Sequence, residues 1–388
     1  MRIGLDLSLA LQPSPSGTGV YADGLLHGLL EAAPPDLSIV CGYKLSRLGG
    51  RRFLPRFDDP RLAYRPFQDP GARLTLGHLD VFHGLATDLP SLLGCPKVLT
   101  IHSLHTLEPS QVSLDGPHRR ARQAARVQRL VARADAVICL TEEGRRRFLA
   151  RFPSFPANRT RTIPHGVDLA RFKPLEAITT GECTADAETR ARLGVPMEPG
   201  AVGWPLPPPP AGYVLHVAQV QRRKNTARLI RAFLRVPAGR GRLLVIAGRH
   251  GFAAEEALVE AASPAAAARV RFIGPVARAD MPALYRGAAV LSLPSLYEEF
   301  GLPVLEAFAC GVPVVASSAP ALPEVTAGAA LLPDSASEDE IAAALDAALT
   351  EEAYRAELRA RGHGRAAALS WRACAERTLA LYRDLLGM

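Results

Sequence analysis

Between Pro196 and Pro210 the chain carries seven prolines, ending in the run Pro207 to Pro210. A proline donates no backbone N–H and has a fixed φ, so neither helix nor sheet ladder can run through such a stretch. It reads as a stiff, extended connector. The connector is assigned to 173–212, dividing the chain into an N-terminal domain over 1–172 and a C-terminal domain over 213–370. With 388 residues, two domains that each bury a core is also the expectation from length.

On either side of the connector, short apolar runs alternate with helical patterns. In the first half the strand candidates are Arg2 to Leu9, Ser38 to Tyr43, Val81 to His83, Lys97 to His102, Ala136 to Leu140 and Thr160 to Pro164. A Pro/Ser/Gly loop, Gln12 to Gly19, precedes a helix expected from Val20 to Ala32. In the second half, strands are expected at Tyr213 to Ala218, Leu243 to Ala247, Val270 to Ile273, Val290 to Leu293 and Val312 to Ala316. Helices are expected at Thr226 to Leu234, Ala279 to Arg286 and Leu302 to Ala309. This alternation predicts an α/β fold with two doubly wound parallel sheets, whose ligands bind at the C-terminal strand ends. From Trp371 to Leu386, Ala375, Leu379, Tyr382 and Leu386 share one helical face.

The chemistry concentrates between Ser295 and Gly311. Glu298 and Glu306 flank Phe300, Gly301 and Leu302 at a loop-to-helix junction. Free backbone N–H groups and the positive dipole end at a helix start suit phosphate, and a carboxylate inside the same helix suits sugar hydroxyls. Arg223 and Lys224 stand where a strand passes into a helix at Asn225, and two cations at a helix start suit an anionic group. Gly17 and Gly19 follow the first strand, and His102 ends another.

The stretch from Glu298 to Glu306 resembles the E-x7-E element of retaining, family 4 glycosyltransferases with the GT-B fold. The likeness extends through Gly17-Thr18-Gly19, Phe82-His83-Gly84, Thr100-Ile101-His102, Ala134 to Glu142, Ile163 to Asp168 and Arg223-Lys224-Asn225. The resemblance implies a retaining hexosyltransferase with two Rossmann-like domains facing a cleft. The final helix, 371–388, would return to the first domain. Glu298 would lie at the donor sugar, Glu306 on the ribose hydroxyls, and His102 at the donor sugar or the acceptor. Gly17, Gly19, Phe300, Gly301 and Leu302 would border the donor, with Arg223 and Lys224 on its diphosphate. Mannose from GDP-mannose is the favoured donor, on local similarity over 295–332 to mannosyl-type transferases of surface polysaccharides. The acceptor would be a growing polysaccharide or lipid-linked glycan. No cofactor is implied, and the absence of an Asp-x-Asp motif agrees with metal-independent stabilisation of the leaving group.

Two positions depart from the family pattern. Glu299 replaces the usual glycine and is expected to turn away from the diphosphate; Ser103 replaces the usual aspartate after His102. These departures keep open a non-catalytic carbohydrate- or nucleotide-sugar-binding protein, and an epimerase on the same fold remains a second alternative. An NAD site at Gly17-Thr18-Gly19 is disfavoured, because Cys41 and Tyr43 occupy the second strand's end where an acidic residue would be needed.

Net charge of +8 fits an anionic partner. Arg119, Arg122, Arg126, Arg129 and Arg133 recur at three- and four-residue steps, hence on one helix face. That face is either simply solvated or meets anionic lipid; without interleaved aromatics, nucleic acid is not expected. No apolar run approaches the ~18 residues a membrane span requires. Six scattered cysteines fit free thiols, so the expected location is the cytoplasm, peripheral to its membrane if the arginines bind lipid.

Overall fold

The computed structural model describes residues 1–11, 16–55, 57–85, 89–104, 107, 117–192, 212–237, 241–251 and 254–388. The chain forms two compact units. Among the described residues, the first lies within 1–108, 115–166 and 369–388, and the second within 167–368.

In the first unit, the described residues form a parallel sheet of β1 (Arg2–Asp6), β2 (Ser38–Lys44), β3 (Leu62–Phe67), β4 (Val81–Gly84), β5 (Lys97–Ile101), β6 (Ala136–Cys139) and β7 (Thr160–Thr162). Their order is β3-β2-β1-β4-β5-β6-β7. β4 and β6 are buried along their whole length and β1, β2 and β5 along all but their ends, as expected where both faces of a parallel sheet are covered. β3 was not anticipated. It lies at the sheet edge and carries Arg65 and Pro66, so it lacks the apolar run that marks an inner strand.

The helix after β1 runs from Gly17 to Ala32, one turn earlier than expected, so Gly17 and Gly19 lie in its first turn and not in a loop. Against it packs the last helix, Trp371–Leu386, with Ala375, Leu379 and Tyr382 turned inward. Gly24 and Gly28 make the approach possible: a methyl group at either would collide with Trp371. The returning helix implied by the resemblance therefore belongs to the first unit.

The second unit's sheet, again parallel, contains β8 (Tyr213–Val217), β9 (Leu244–Ala247), β10 (Val270–Gly274), β11 (Ala288–Leu293) and β12 (Val314–Ala316), in the order β10-β9-β8-β11-β12. In both sheets the order reverses beside the first strand, between β1 and β4 and between β8 and β11. Such reversals open the crevice in which doubly wound proteins bind ligands.

The expected connector is corrected over its first half. Thr180–Arg192 is a helix of the second unit, held by Asp186 to Arg286 at 2.7 Å and by Arg190 to the Ala283 carbonyl at 2.9 Å. Its start is fixed by a capping box. Thr179 N–H donates to Glu182 at 2.8 Å, and Glu182 N–H donates to the Thr179 hydroxyl at 3.3 Å. The proline run itself, 196–210, lies outside the described residues.

Candidate functional site

The second unit's reversal point is built by two loops that leave neighbouring strands. After β8 the chain makes a short turn, Arg222–Lys224, and enters the helix Thr226–Arg235 through Asn225 at φ 60°. After β11 it crosses Pro294 to Phe300 and enters the helix Leu302–Ala309 through Gly301 at φ 95°. The loops are tied together by one main-chain bond and by the side-chain amide of Asn225. Leu296 N–H donates to the Arg223 carbonyl at 2.8 Å, and the Asn225 amide donates to the Pro294 carbonyl at 3.0 Å and the Ser335 carbonyl at 2.7 Å. Beneath them, His216 on β8 reaches the Ser292 carbonyl on β11 through Nδ1 at 2.8 Å and the Thr226 hydroxyl through Nε2 at 3.1 Å. Burial pushes this histidine down to about 4, so Nδ1 carries the proton and Nε2 accepts from Thr226.

This scaffold brings Lys224 and Glu298 into a buried ion pair. The Ser295 hydroxyl donates to the same carboxylate oxygen at 2.8 Å, and Arg223 stands 3.7 Å from the other. Burial and the neighbouring Arg223 lower the Lys224 ammonium to about 8, against the attraction of Glu298. For Glu298, burial alone would raise the pKa, but Lys224 and Arg223 outweigh it and hold the carboxyl below its usual range. Two cations thus surround one carboxylate at the sheet's C-terminal edge.

Glu306, inside the second helix, is also buried. Arg278 pairs with one of its oxygens, and the Tyr285 hydroxyl donates to the other at 2.7 Å. Phe300 and Leu302 are buried on either side of Gly301. The helix is seated on the long helix Glu352–Ala368 at Gly362, where a Cβ would lie 2.6 Å from the Phe308 ring. Glu299 is half-buried and accepts from the Tyr297 hydroxyl.

Of the residues expected from sequence, Arg223, Lys224, Glu298, Phe300, Gly301, Leu302 and Glu306 gather in the second unit, whereas Gly17, Gly19 and His102 belong to the first. His102 follows β5. Its ring meets Tyr21 edge-on at 4.8 Å and lies 5.4 Å from His165. Burial lowers it to about 3, and among the described residues its Nε2 has no hydrogen-bond partner. His83 is structural: it bonds Tyr382 and Thr100, each at 2.7 Å, joining β4, β5 and the last helix. Sequence reasoning gave no role to Ser295, three residues before Glu298, and missed Arg278, Tyr285 and His216, which reach the two glutamates or their scaffold only through the fold.

The arginine helix spans Pro117–Val131. Arg122 and Arg129 are exposed and Arg126 is half-buried; the Arg119 side chain lies outside the description. Arg133 falls beyond the helix and is held by its own unit, donating to the Leu89 carbonyl at 3.0 Å and pairing with Asp69 at 3.4 Å. Among the described residues, no helix is long and apolar enough to cross a membrane, and no group of three His, Cys, Asp or Glu residues is placed to hold a metal ion.

Comparison with known proteins follows the same division. Residues 16–171 match the profile described as Glycosyltransferase Family 4, and residues 206–365 match Glycosyl transferases group 1. The chain is 34% identical over 253 residues to D-inositol 3-phosphate glycosyltransferase of Salinispora arenicola, which covers 61% of this chain and 52% of the relative. It is 35% identical over 176 residues to O-antigen chain mannosyltransferase B of Escherichia coli, covering 45% and 46% respectively. The chain thus spans about half the length of these curated relatives. Among solved structures, sucrose-phosphate synthase of Thermosynechococcus elongatus superposes with a TM-score of 0.75 at 22% identity, over 100% of this chain and 99% of that one. Anabaena HepE in complex with UDP and glucose gives 0.73 at 18% identity, over 99% and 100%. A glycosyltransferase profile matches in each half of the sequence, and the chain belongs to the family 4 glycosyltransferases of the GT-B fold.

Proposed function

We propose that the protein is a retaining hexosyltransferase that takes its sugar from a nucleoside-diphosphate donor held in the second unit. One observation carries this reading: Lys224 and Arg223 flank the buried carboxylate of Glu298 where β8 and β11 diverge. A nucleoside diphosphate gains negative charge as the glycosidic bond breaks, and two fixed cations in a desolvated corner stabilise that charge. Glu298, kept ionised by the same cations, accepts hydrogen bonds from the sugar's hydroxyls. Glu306 accepts from the ribose, and the uncapped start of the helix at Gly301 faces the phosphates.

For transfer with retention, the bond between the anomeric carbon and phosphate breaks on the face where the acceptor oxygen bonds. The acceptor's proton passes to the departing phosphate oxygen, so neither Glu298 nor His102 serves as a base. No metal takes part in this scheme. GDP-mannose is the favoured donor, supported by the similarity to O-antigen chain mannosyltransferase B, and a growing polysaccharide or lipid-linked glycan is the acceptor. Contact with an anionic membrane surface would use the exposed Arg122 and Arg129, joined by Arg126.

The test is a panel of GDP-mannose, UDP-glucose and related nucleotide sugars. One member should raise the melting temperature by a few degrees at saturating concentration and release nucleoside diphosphate on turnover. Lys224→Ala should abolish both effects. Full stabilisation and turnover in that variant would refute the assignment. For the membrane contact, anionic vesicles should sediment the wild-type protein and not a variant with Arg122, Arg126 and Arg129 changed to Glu; equal sedimentation would leave a solvated face.

A further inference from the structure

The ion pair between Arg278 and Glu306 has no counterpart in the spacing of the E-x7-E element, and it lies within a chain of contacts through Phe172 and Tyr285. Arg278 follows β10, at the edge of the sheet, and crosses to the helix that follows β11. Its guanidinium lies 4.6 Å above the ring of Phe172, a fully buried side chain. Phe172 in turn meets Tyr285 at 5.9 Å between centroids, and Tyr285 donates to Glu306. Burial and the adjoining Glu306 raise the Tyr285 phenol well above its ordinary range, so it stays protonated and can only donate its proton to the carboxylate. Each oxygen of Glu306 is therefore held by a different donor, and the carboxylate cannot rotate without breaking one contact.

We infer that Arg278 is a positioning residue for ribose recognition. With Tyr285 and Phe172 it locks the Glu306 carboxylate in one plane, so that its remaining lone pairs meet the ribose hydroxyls of the nucleotide. This inference rests on the reading of Glu306 as the ribose acceptor. Two physical arguments support it. A carboxylate oxygen accepts more than one hydrogen bond, so the contacts with Arg278 and Tyr285 leave acceptor capacity unused. A carboxylate buried near a diphosphate would also repel it; the Arg278 charge cancels that repulsion while leaving the hydrogen-bonding geometry intact. Pre-organised acceptors discriminate strongly against a ligand that lacks the matching hydroxyl, because the buried polar group is then left unmatched.

The experiment measures discrimination. Affinities of UDP and GDP, each against its 2′-deoxy and 3′-deoxy forms, are determined by calorimetry for wild type, Glu306→Ala, Arg278→Ala, Arg278→Lys and Tyr285→Phe, with melting temperatures recorded throughout. Wild type should prefer the better-bound ribonucleotide over at least one of its deoxy forms by about 10- to 100-fold, the range of a hydrogen bond to a charged group. Glu306→Ala should erase the preference. Arg278→Ala should reduce it to within about threefold, with Arg278→Lys recovering part of it.

Failure of the underlying reading is distinct: wild type and Glu306→Ala would show the same ratio, and the proposal would fall with it. If Glu306→Ala loses the preference while Arg278→Ala keeps the wild-type ratio, Glu306 binds ribose and the inference about Arg278 is wrong. A loss of affinity for ribo and deoxy forms in equal proportion would likewise overturn it, since that marks a purely structural role. Should Arg278→Ala not fold, Arg278→Lys and Tyr285→Phe decide the matter by the same ratio.

Discussion

Lys224 is a cation in a place that disfavours cations, and a bound diphosphate would reverse that preference. Without a ligand the ammonium sits at about 8. Raising the pH from 7 to 9 deprotonates it, so the charged fraction falls about tenfold. Nucleoside-diphosphate affinity should fall by about the same factor. Arg keeps its charge over that range, so Lys224→Arg should bind with a much flatter profile. Calorimetry at pH 7, 8 and 9 checks this, and parallel declines in the two proteins would remove Lys224 from the diphosphate. Lys224, Glu298 and Glu306 were legible in the sequence because each stands at a fixed offset from a strand end or a glycine. Arg278 was not. It comes 28 residues before Glu306 on a different loop, and only the order of the strands makes them neighbours.

The two helices that open on the reversal point share a construction that sets them apart from several others. Helices beginning after Thr141, Ser337 and Ser370 have side-chain caps, whereas those beginning after Asn225 and Gly301 start from a left-handed residue with no side-chain cap. Left-handed φ turns the chain sharply, so the first amides of each helix emerge at the strand ends. Gly301→Ala tests the requirement. It places a Cβ at φ 95°, 2.8 Å from a Leu322 methyl, and should destabilise the second unit by about 1–3 kcal/mol, read as a lower midpoint in urea. Asn225→Gly keeps the backbone accessible but removes the two carbonyl contacts of the Asn225 amide. It should cost about 1–2 kcal/mol and loosen the loops against each other. Most inner strands were readable as apolar runs. β3 was hidden by its edge position, and Thr180–Arg192 was concealed by its proline-rich neighbour although its capping box stood in the sequence.

Two units of similar design differ in how the chain completes them. Among the described residues the run 167–368 supplies the second, while the first is left unfinished at Gly166 and regains the chain only at Leu369. The returning helix brings Trp371 against Gly24 and Gly28, and Tyr382 to His83. Gly28→Ala should therefore unseat the helix, since the added methyl meets main chain that cannot swing aside. The chain has two tryptophans, so a Trp204→Phe background makes Trp371 the sole reporter. In it, Gly28→Ala should red-shift the emission while far-ultraviolet dichroism changes little; unchanged emission would show that the interface adapts. Such an arrangement also gives biosynthesis an inverted order. As the ribosome reads the message from start to finish, the earlier-made lobe waits with the helix face that carries Tyr21, Gly24 and Gly28 uncovered, and its core closes only after 369–388 has been made.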